Sequence, residues 1–246
     1  MLVELRARPA RSPAGHLRVW WQPVHDALGR DRPVEFPWVA AGLAAAVLAV
    51  SVVVGAFARE IPASLGNALG VGWPTLRDGR WWTLATSFAL TRDWFMAATM
   101  PVCLFAGVAL YERRAGHARA FTVVFLGHAT ATVIATLTFV PFLWTHVPAL
   151  VHAADNVDYG ASMAIAACLG GLLAVVHDRR LTLTVLTVAA LGTLAHHQMS
   201  DWGHVVALPL GYWFARVGTP RRAAALGCTL VVTTALAAFA IPLVAR

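Results

Sequence analysis

Long apolar segments separated by short polar ones make up most of the chain after its first 37 residues. A helix needs about 20 apolar residues to cross a bilayer, and fewer where the membrane is thin. The pattern predicts an all-α protein that crosses the membrane several times. Seven spans are expected, the fifth and sixth of them short: Trp38–Phe57, Trp94–Tyr111, Ala120–Leu143, Gly160–His177, Leu181–His196, Trp202–Ala215 and Ala223–Val244.

The composition agrees with a membrane protein. Hydrophobic residues make up 59% of the chain and charged residues 13%, whereas a soluble domain carries about 25% charged residues. The net charge of +7 comes from 19 basic residues, all of them arginine. A basic chain can bind nucleic acid, but these arginines lie between the apolar segments. We therefore expect the lipid bilayer to be a partner of this chain, and no nucleic acid.

The arginines are distributed unequally between alternate connections. With the N-terminus inside the cell, fourteen lie in cytoplasmic segments and five in outer ones. Such a bias orients membrane proteins. It predicts a multi-pass membrane protein whose N-terminus is cytoplasmic.

Two parts of the chain do not match a spanning helix. Residues 1–37 are rich in arginine and proline and are expected to form a basic cytoplasmic tail. Residues 58–93 are half apolar but interrupted by glycine and proline, which favours an element lying in the outer interface. The predicted organisation is this tail, a six-helix core over 38–217 that includes the outer loop, and a seventh transmembrane helix within 218–246.

Ionisable groups are scarce inside the predicted spans, where they are costly and usually functional. His128 lies in the third span and His204 near the outer end of the sixth. Ser162 follows Asp158 by four residues. His204 follows Asp201 by three, and both aspartates mark outer helix ends. At 1.5 Å per residue, the serine and the histidine should lie at the same depth in the same leaflet.

The starts of the fourth and sixth helices suit a serine–histidine pair. Asp158 is expected to cap one helix and Ser200 the other, so that both candidates fall in first turns. There the helix dipole keeps an imidazole neutral, and unpaired backbone N–H groups can stabilise an oxyanion. Asp158 and Asp201 are possible polar support for the pair.

Small residues on these two helices should let them approach closely. The alternative reading of Ser162 is a small polar residue that only fills space between packed helices. The small residues that allow this approach are Gly160, Ala161, Ala164, Ala167 and Gly171 on the fourth helix, and Gly203, Ala207 and Gly211 on the sixth.

The three cysteines lie within apolar spans and are expected to be small core residues: Cys103, Cys168 and Cys228.

Over residues 38–217 the chain resembles the rhomboid superfamily of intramembrane serine proteases. That family opens its fourth helix with Gly-x-Ser-Gly, which GASM from Gly160 matches in part. Its sixth helix opens with a histidine and spaced small residues, as in HVVALPLG from His204. Its second helix ends in Glu-x-Arg before a turn glycine, as in ERRAG, Glu112 to Gly116. The segment GHATAT, which contains His128, resembles a divergent rhomboid-like branch of actinobacteria, which implies the plasma (inner) membrane of a bacterium.

The resemblance implies a rhomboid-like six-helix bundle with one extra C-terminal transmembrane helix. Ser162 would attack a peptide carbonyl of a transmembrane or membrane-adjacent protein substrate, and His204 would act as the base. Water would then hydrolyse the acyl-enzyme, and no metal or other cofactor would be needed. His128 would lie outside this dyad; a structural polar role is expected for it, and, like Asp158 and Asp201, it is possible polar support for the dyad.

Three methionines depart from the family pattern. The family's oxyanion-stabilising histidine and asparagine correspond to Met96 and Met100, and the last glycine of its serine motif to Met163. Methionine donates no hydrogen bond, and losing one such donor costs about 10²–10³ in rate. A proteolytically inactive relative that binds the transmembrane helices of client proteins is therefore an alternative, since methionines form adaptable apolar surfaces.

A metal site is a further alternative. Histidines and aspartates cluster at neighbouring outer helix ends, but their spacing is loose and the chain has no HExxH motif. Solvated loop side chains explain the cluster better, and we expect no metal. The residues concerned are His146, His152, Asp155, Asp158, His196, His197, Asp201 and His204.

Overall fold

The computed structural model describes residues 36–145, 147–196, 199–217 and 219–244. Within these ranges the chain is helical and forms no strand, apart from one isolated antiparallel bridge between Val71 and Asp158. The helices are α1 (Trp38–Val53), α2 (Ala63–Leu69), α3 (Trp73–Arg77), α4 (Thr83–Ala89), α5 (Trp94–Ala115), α6 (His117–Phe139) with a 3₁₀ extension (Val140–Trp144), α7 (Pro148–Asp155), α8 (Ser162–Val176), α9 (Arg179–His196), α10 (Met199–Val217) and α11 (Pro220–Val244).

Each predicted span contains a long helix, so the all-α prediction is confirmed, with helix ends shifted by a few residues. By length and composition, three helices of the described chain can cross a membrane: Trp94–Ala115, His117–Trp144 and Arg221–Ala238. α1 and α8 are apolar but shorter, with 16 and 15 residues. These helices are consistent with a membrane protein.

The outer loop over 58–93 folds into the three short helices α2, α3 and α4. Its two ends are joined by a hydrogen bond from the Ile61 N–H to the Arg92 carbonyl, 2.9 Å long. At the end of the loop, Asp93 caps α5 by accepting a hydrogen bond from the Met96 N–H at 2.9 Å. That bond holds the pKa of the Asp93 carboxyl below its ordinary value, with Arg92 acting in the same direction.

Glu112 joins the end of α5 to the start of α1. Its carboxylate is only 2% exposed and accepts hydrogen bonds from the backbone N–H groups of Val39 and Ala40, each 2.9 Å long. It also contacts the Nδ1 atom of His117. The carboxylate thus occupies the positive end of the α1 dipole and pairs two N–H groups that have no helical partner. Gly116, with φ of +87°, makes the turn between α5 and α6.

α8 is the central helix and packs against α10, α6 and α5. Its contact with α10 is made between backbones. A Cβ atom at Gly170 would overlap the Leu208 carbonyl oxygen of α10, and one at Gly211 would overlap the Ala167 carbonyl oxygen of α8. The prediction of close approach through small residues is therefore confirmed for this pair of helices. Gly171 differs, because it packs against the Tyr111 ring of α5.

Replacing Gly211 by alanine should separate α8 from α10. Because the added methyl group meets a backbone carbonyl and not a flexible side chain, the free energy of unfolding should fall by about 2–3 kcal/mol. Thermal unfolding in detergent measures this change. Gly42→Ala is the matched control, since a Cβ atom at Gly42 of α1 would meet nothing within 4 Å. Equal stability of the two variants would contradict a backbone contact between α8 and α10.

Candidate active-site groove

An apolar groove of about 590 Å³ opens between α5, α8, α9 and α10. Ser162 and His204 both line it, so the two residues singled out from the sequence face one cavity. The remaining lining side chains are mostly apolar, and the groove has room for a hydrophobic segment. They are Thr99, Met100, Cys103, Ile165, Ala166, Leu169, Thr184, Val185, Val188, Ala189 and Leu208.

Ser162 is the first residue of α8. The Ile165 N–H bonds to the Ala161 carbonyl at 3.1 Å and closes the first turn. The preceding N–H groups, those of Ser162, Met163 and Ala164, lack hydrogen-bond partners in the described chain, as expected at a helix start. Backbone donors for an oxyanion are therefore present next to the serine hydroxyl.

The predicted N-cap role of Asp158 is wrong. The cap position of α8 is Ala161, and no side chain caps the helix. Asp158 instead exchanges two backbone hydrogen bonds with Val71 of the outer loop, 2.8 and 2.9 Å long. Gly160, at φ +117°, donates its N–H to the Ser87 carbonyl at 2.7 Å. Pairing with the loop keeps the chain extended up to Gly160, which delays the start of the helix until Ser162.

His204 does not lie in a first helical turn. α10 begins at Met199, so Ser200 lies inside the helix and is not its cap, and His204 is the sixth helical residue. Its side chain is partly buried. Among the described residues no hydrogen bond joins the His204 ring to the Ser162 hydroxyl. Catalytic hydrogen bonds are often longer before substrate binds and shorten in the complex, so the shared groove is the relevant geometry.

The three predicted methionine departures surround this pair. Met163 is 2% exposed, and its side chain lies over Gly203, the residue before His204. Its sulfur accepts a hydrogen bond from the Thr132 hydroxyl at 3.2 Å. The methyl groups of Met96 and Met100 lie beside Gly160, 3.2 and 3.6 Å from where a Cβ atom would be. Thioethers thus occupy the space around the serine turn.

His128 is buried outside the groove. It is 4% exposed and meets the Phe88 ring edge-on, with the ring centroids 5.2 Å apart. In the described part of the chain neither ring nitrogen has a hydrogen-bond partner. The expected support of the dyad by His128 is therefore not direct. Thr132, one helical turn later, is the α6 residue that reaches the site, through Met163.

Asp158 and Asp201 do not line the groove, but they interact electrostatically at its outer end. Burial raises the pKa of the Asp158 carboxyl from its ordinary value of 3.8 to about 6, and the charge of Asp201 acts in the same direction. Burial also raises the pKa of the adjacent Tyr159 hydroxyl. Asp158, four residues before Ser162, therefore carries a carboxyl group that exchanges its proton at about pH 6.

Several groove residues were missed or misread from the sequence. Cys103 was expected to be a core residue, yet it is exposed and lines the groove, and Cys228 is exposed as well. Only Cys168 is buried as expected. Met96, Met100 and Cys103 recur at helical spacing, which is the signal that could have placed Cys103 on this face of α5.

Within the described chain no three histidine, cysteine, aspartate or glutamate side chains are grouped closely enough to hold a metal ion. His146 and His197 lie outside the described residues, as do the side chain of His196 and the tail over 1–35.

No family model, curated protein or solved structure matches this chain. The functional assignment therefore depends on the residues and on their placement in the fold.

The raised pKa of Asp158 predicts a pH-dependent stability. The folded state binds this proton more tightly than the unfolded chain, so the stabilisation is present below about pH 4 and is lost as pH rises through about 6. Asp158→Asn should remove the cost of the buried charge and raise stability at pH 8 by about 1–3 kcal/mol. Thermal unfolding at pH 4.5 and pH 8 should show the larger gain at pH 8.

Asp78→Asn is the control, because that carboxylate is half exposed beside Arg77 and Arg80. A variant at Asp158 that gains no stability at pH 8 would contradict a partly buried carboxyl that binds its proton tightly in the folded state.

Proposed function

We propose that this protein is a rhomboid-like intramembrane serine endopeptidase of a bacterial plasma membrane. The observation that carries the proposal is that Ser162 and His204, on two helices in backbone contact, line one apolar groove. An apolar groove with a nucleophile and a base on its wall suits a transmembrane or membrane-adjacent polypeptide as substrate.

The reaction would begin with the Ser162 hydroxyl. His204 takes the hydroxyl proton as the oxygen attacks a peptide carbonyl, and the protonated imidazole then gives that proton to the leaving amine. The resulting ester is hydrolysed when His204 activates a water molecule in the same way. A general base requires the neutral form of the imidazole ring.

The oxyanion would be stabilised by the backbone. The unpaired N–H groups at the start of α8 point along the helix axis towards the serine, where the dipole is positive. Met96 and Met100 supply no side-chain donors. We therefore expect slower catalysis than in an enzyme with a full set of donors, by about 10²–10³ for each donor lost.

Covalent labelling tests the dyad. A fluorophosphonate probe should label the wild-type protein in detergent or lipid, because an activated serine attacks phosphorus. Ser162→Ala should abolish labelling and His204→Ala should reduce it at least tenfold. Ser64→Ala, which changes an exposed serine of α2, is the matched control and should label as the wild type does. Labelling that survives in Ser162→Ala would contradict the proposed nucleophile.

Restoring a donor provides a second test. Met100→Asn places an amide on the groove wall, and the labelling rate should rise by about tenfold or more if the amide reaches the oxyanion. Val102→Asn is the control, because it adds the same amide to an exposed position of α5 that does not line the groove. An equal rate in both variants would contradict the placement of Met100 at the oxyanion.

A second candidate function is binding of transmembrane client helices without cleavage. It is favoured by the methionines around the serine and by the lack of a described hydrogen bond between Ser162 and His204. In that case no variant labels with the probe, and Ser162→Ala retains co-purifying membrane proteins at the wild-type level. Under the endopeptidase proposal, the same substitution should trap uncleaved substrate and increase its recovery.

A further inference from the structure

A small crevice lies at the end of the bundle opposite the serine turn. It is formed where the end of α5 and the start of α6 meet the end of α10 and the residue before α11. Its interior volume of about 10 Å³ admits one oxygen-sized atom. Its polar lining residues are Tyr111, Arg119, Thr122 and Thr219.

Tyr111 is the unexplained residue of this crevice. Its side chain is 0% exposed, and its hydroxyl has no hydrogen-bond partner among the described groups. A buried donor without a partner costs about 1–3 kcal/mol. Tyr111 lines the crevice, so an acceptor that reaches its hydroxyl from there would remove this cost.

The other polar groups add donors. Arg119 forms no hydrogen bond or ion pair with another described residue and is exposed at the rim. The Thr219 oxygen accepts a hydrogen bond from the Arg222 N–H at 3.4 Å, which leaves its proton available. Thr122 donates its proton to the Ala118 carbonyl of its own helix. Among the described residues no carboxylate lines the crevice. The phenol, the guanidinium and the Thr219 hydroxyl can each donate to an anionic oxygen, and the guanidinium adds a positive charge that favours an anion.

The crevice also lies where phospholipid headgroups are expected. α5 and α10 end here and α6, α9 and α11 begin here, and each of these ends carries exposed arginine. The cavity is too small for a whole phosphate group, but one oxygen can enter while the phosphorus remains at the rim beside Arg119. The phosphodiester of a phospholipid is held at the membrane surface, so it can place one oxygen in the crevice while its phosphorus stays outside.

We propose that this crevice binds a phosphate oxygen of an anionic phospholipid headgroup, with Tyr111 and Arg119 as its principal donors. The site is separate from the Ser162 groove and does not depend on the activity proposed for that groove. Free phosphate offers the same oxygens, and the experiment distinguishes the two sources.

Lipid binding is measured on the full chain in a neutral detergent. Phosphatidylglycerol is titrated in, and the rise in melting temperature gives its dissociation constant. Phosphatidylcholine and inorganic phosphate at matched ionic strength are titrated in parallel. We expect phosphatidylglycerol to stabilise the protein most. Stabilisation by inorganic phosphate alone would overturn the lipid as the source.

Variants locate the site. Tyr111→Phe removes only an unpartnered hydroxyl, so the protein should fold, and Arg119→Gln removes an exposed charge. Each should weaken phosphatidylglycerol binding by about tenfold or more, the expected effect of losing a hydrogen bond to a charged group. Arg113→Gln is the matched control, because Arg113 is exposed at the same end of the bundle but does not line the crevice.

Equal losses of phosphatidylglycerol affinity in Arg119→Gln and Arg113→Gln would show that the lipid is attracted to surface arginines in general, and would overturn the crevice as its binding site. Unchanged binding in Tyr111→Phe would do the same, since it would leave the crevice to a water molecule.

Discussion

The contact between α8 and α10 is the constraint on which the site depends. Two glycines, Gly170 and Gly211, each allow a backbone carbonyl of the partner helix to occupy the space of a side chain. Because the two helix backbones are in contact, the first turns of α8 and α10 are held at a fixed separation. Ser162 and His204 therefore face one groove although 42 positions separate them in the chain.

The outer loop sets the start of α8 and thereby the position of the serine. Val71 pairs with Asp158, and the Ser87 carbonyl accepts from Gly160, so the four residues before Ser162 are held by backbone bonds and by a left-handed glycine. The first N–H groups of α8 have no partners among the described residues. Methionine side chains fill the neighbouring space, so the site has backbone donors inside an apolar surround.

The two ends of the bundle differ in their chemistry. At the serine end, carboxyl groups lie close together, and Asp158 retains its proton to near neutral pH. At the other end, exposed arginines lie around a crevice whose polar lining residues are Tyr111, Arg119, Thr122 and Thr219. Glu112 also lies at that end, and it is buried because the N–H groups of α1 and His117 pair it. This division follows the requirement that a buried charge be paired.

The hydrophobic pattern by itself determined the helical class and the approximate helices, because burial in an apolar phase leaves a direct record in residue type and period. The spacing of Ser162 and His204 from the aspartates at the helix ends predicted only a shared depth, and the turn at Gly116 was expected from the resemblance. It did not determine where α8 begins, since the bridge from Asp158 to Val71 joins residues far apart in sequence and outweighs the local preference of aspartate for a cap. The same reason explains why the surroundings of Gly171, Cys103 and His128 were not predicted from the sequence. Which neighbour a side chain meets depends on how helices are arranged, and only the tertiary structure decided that.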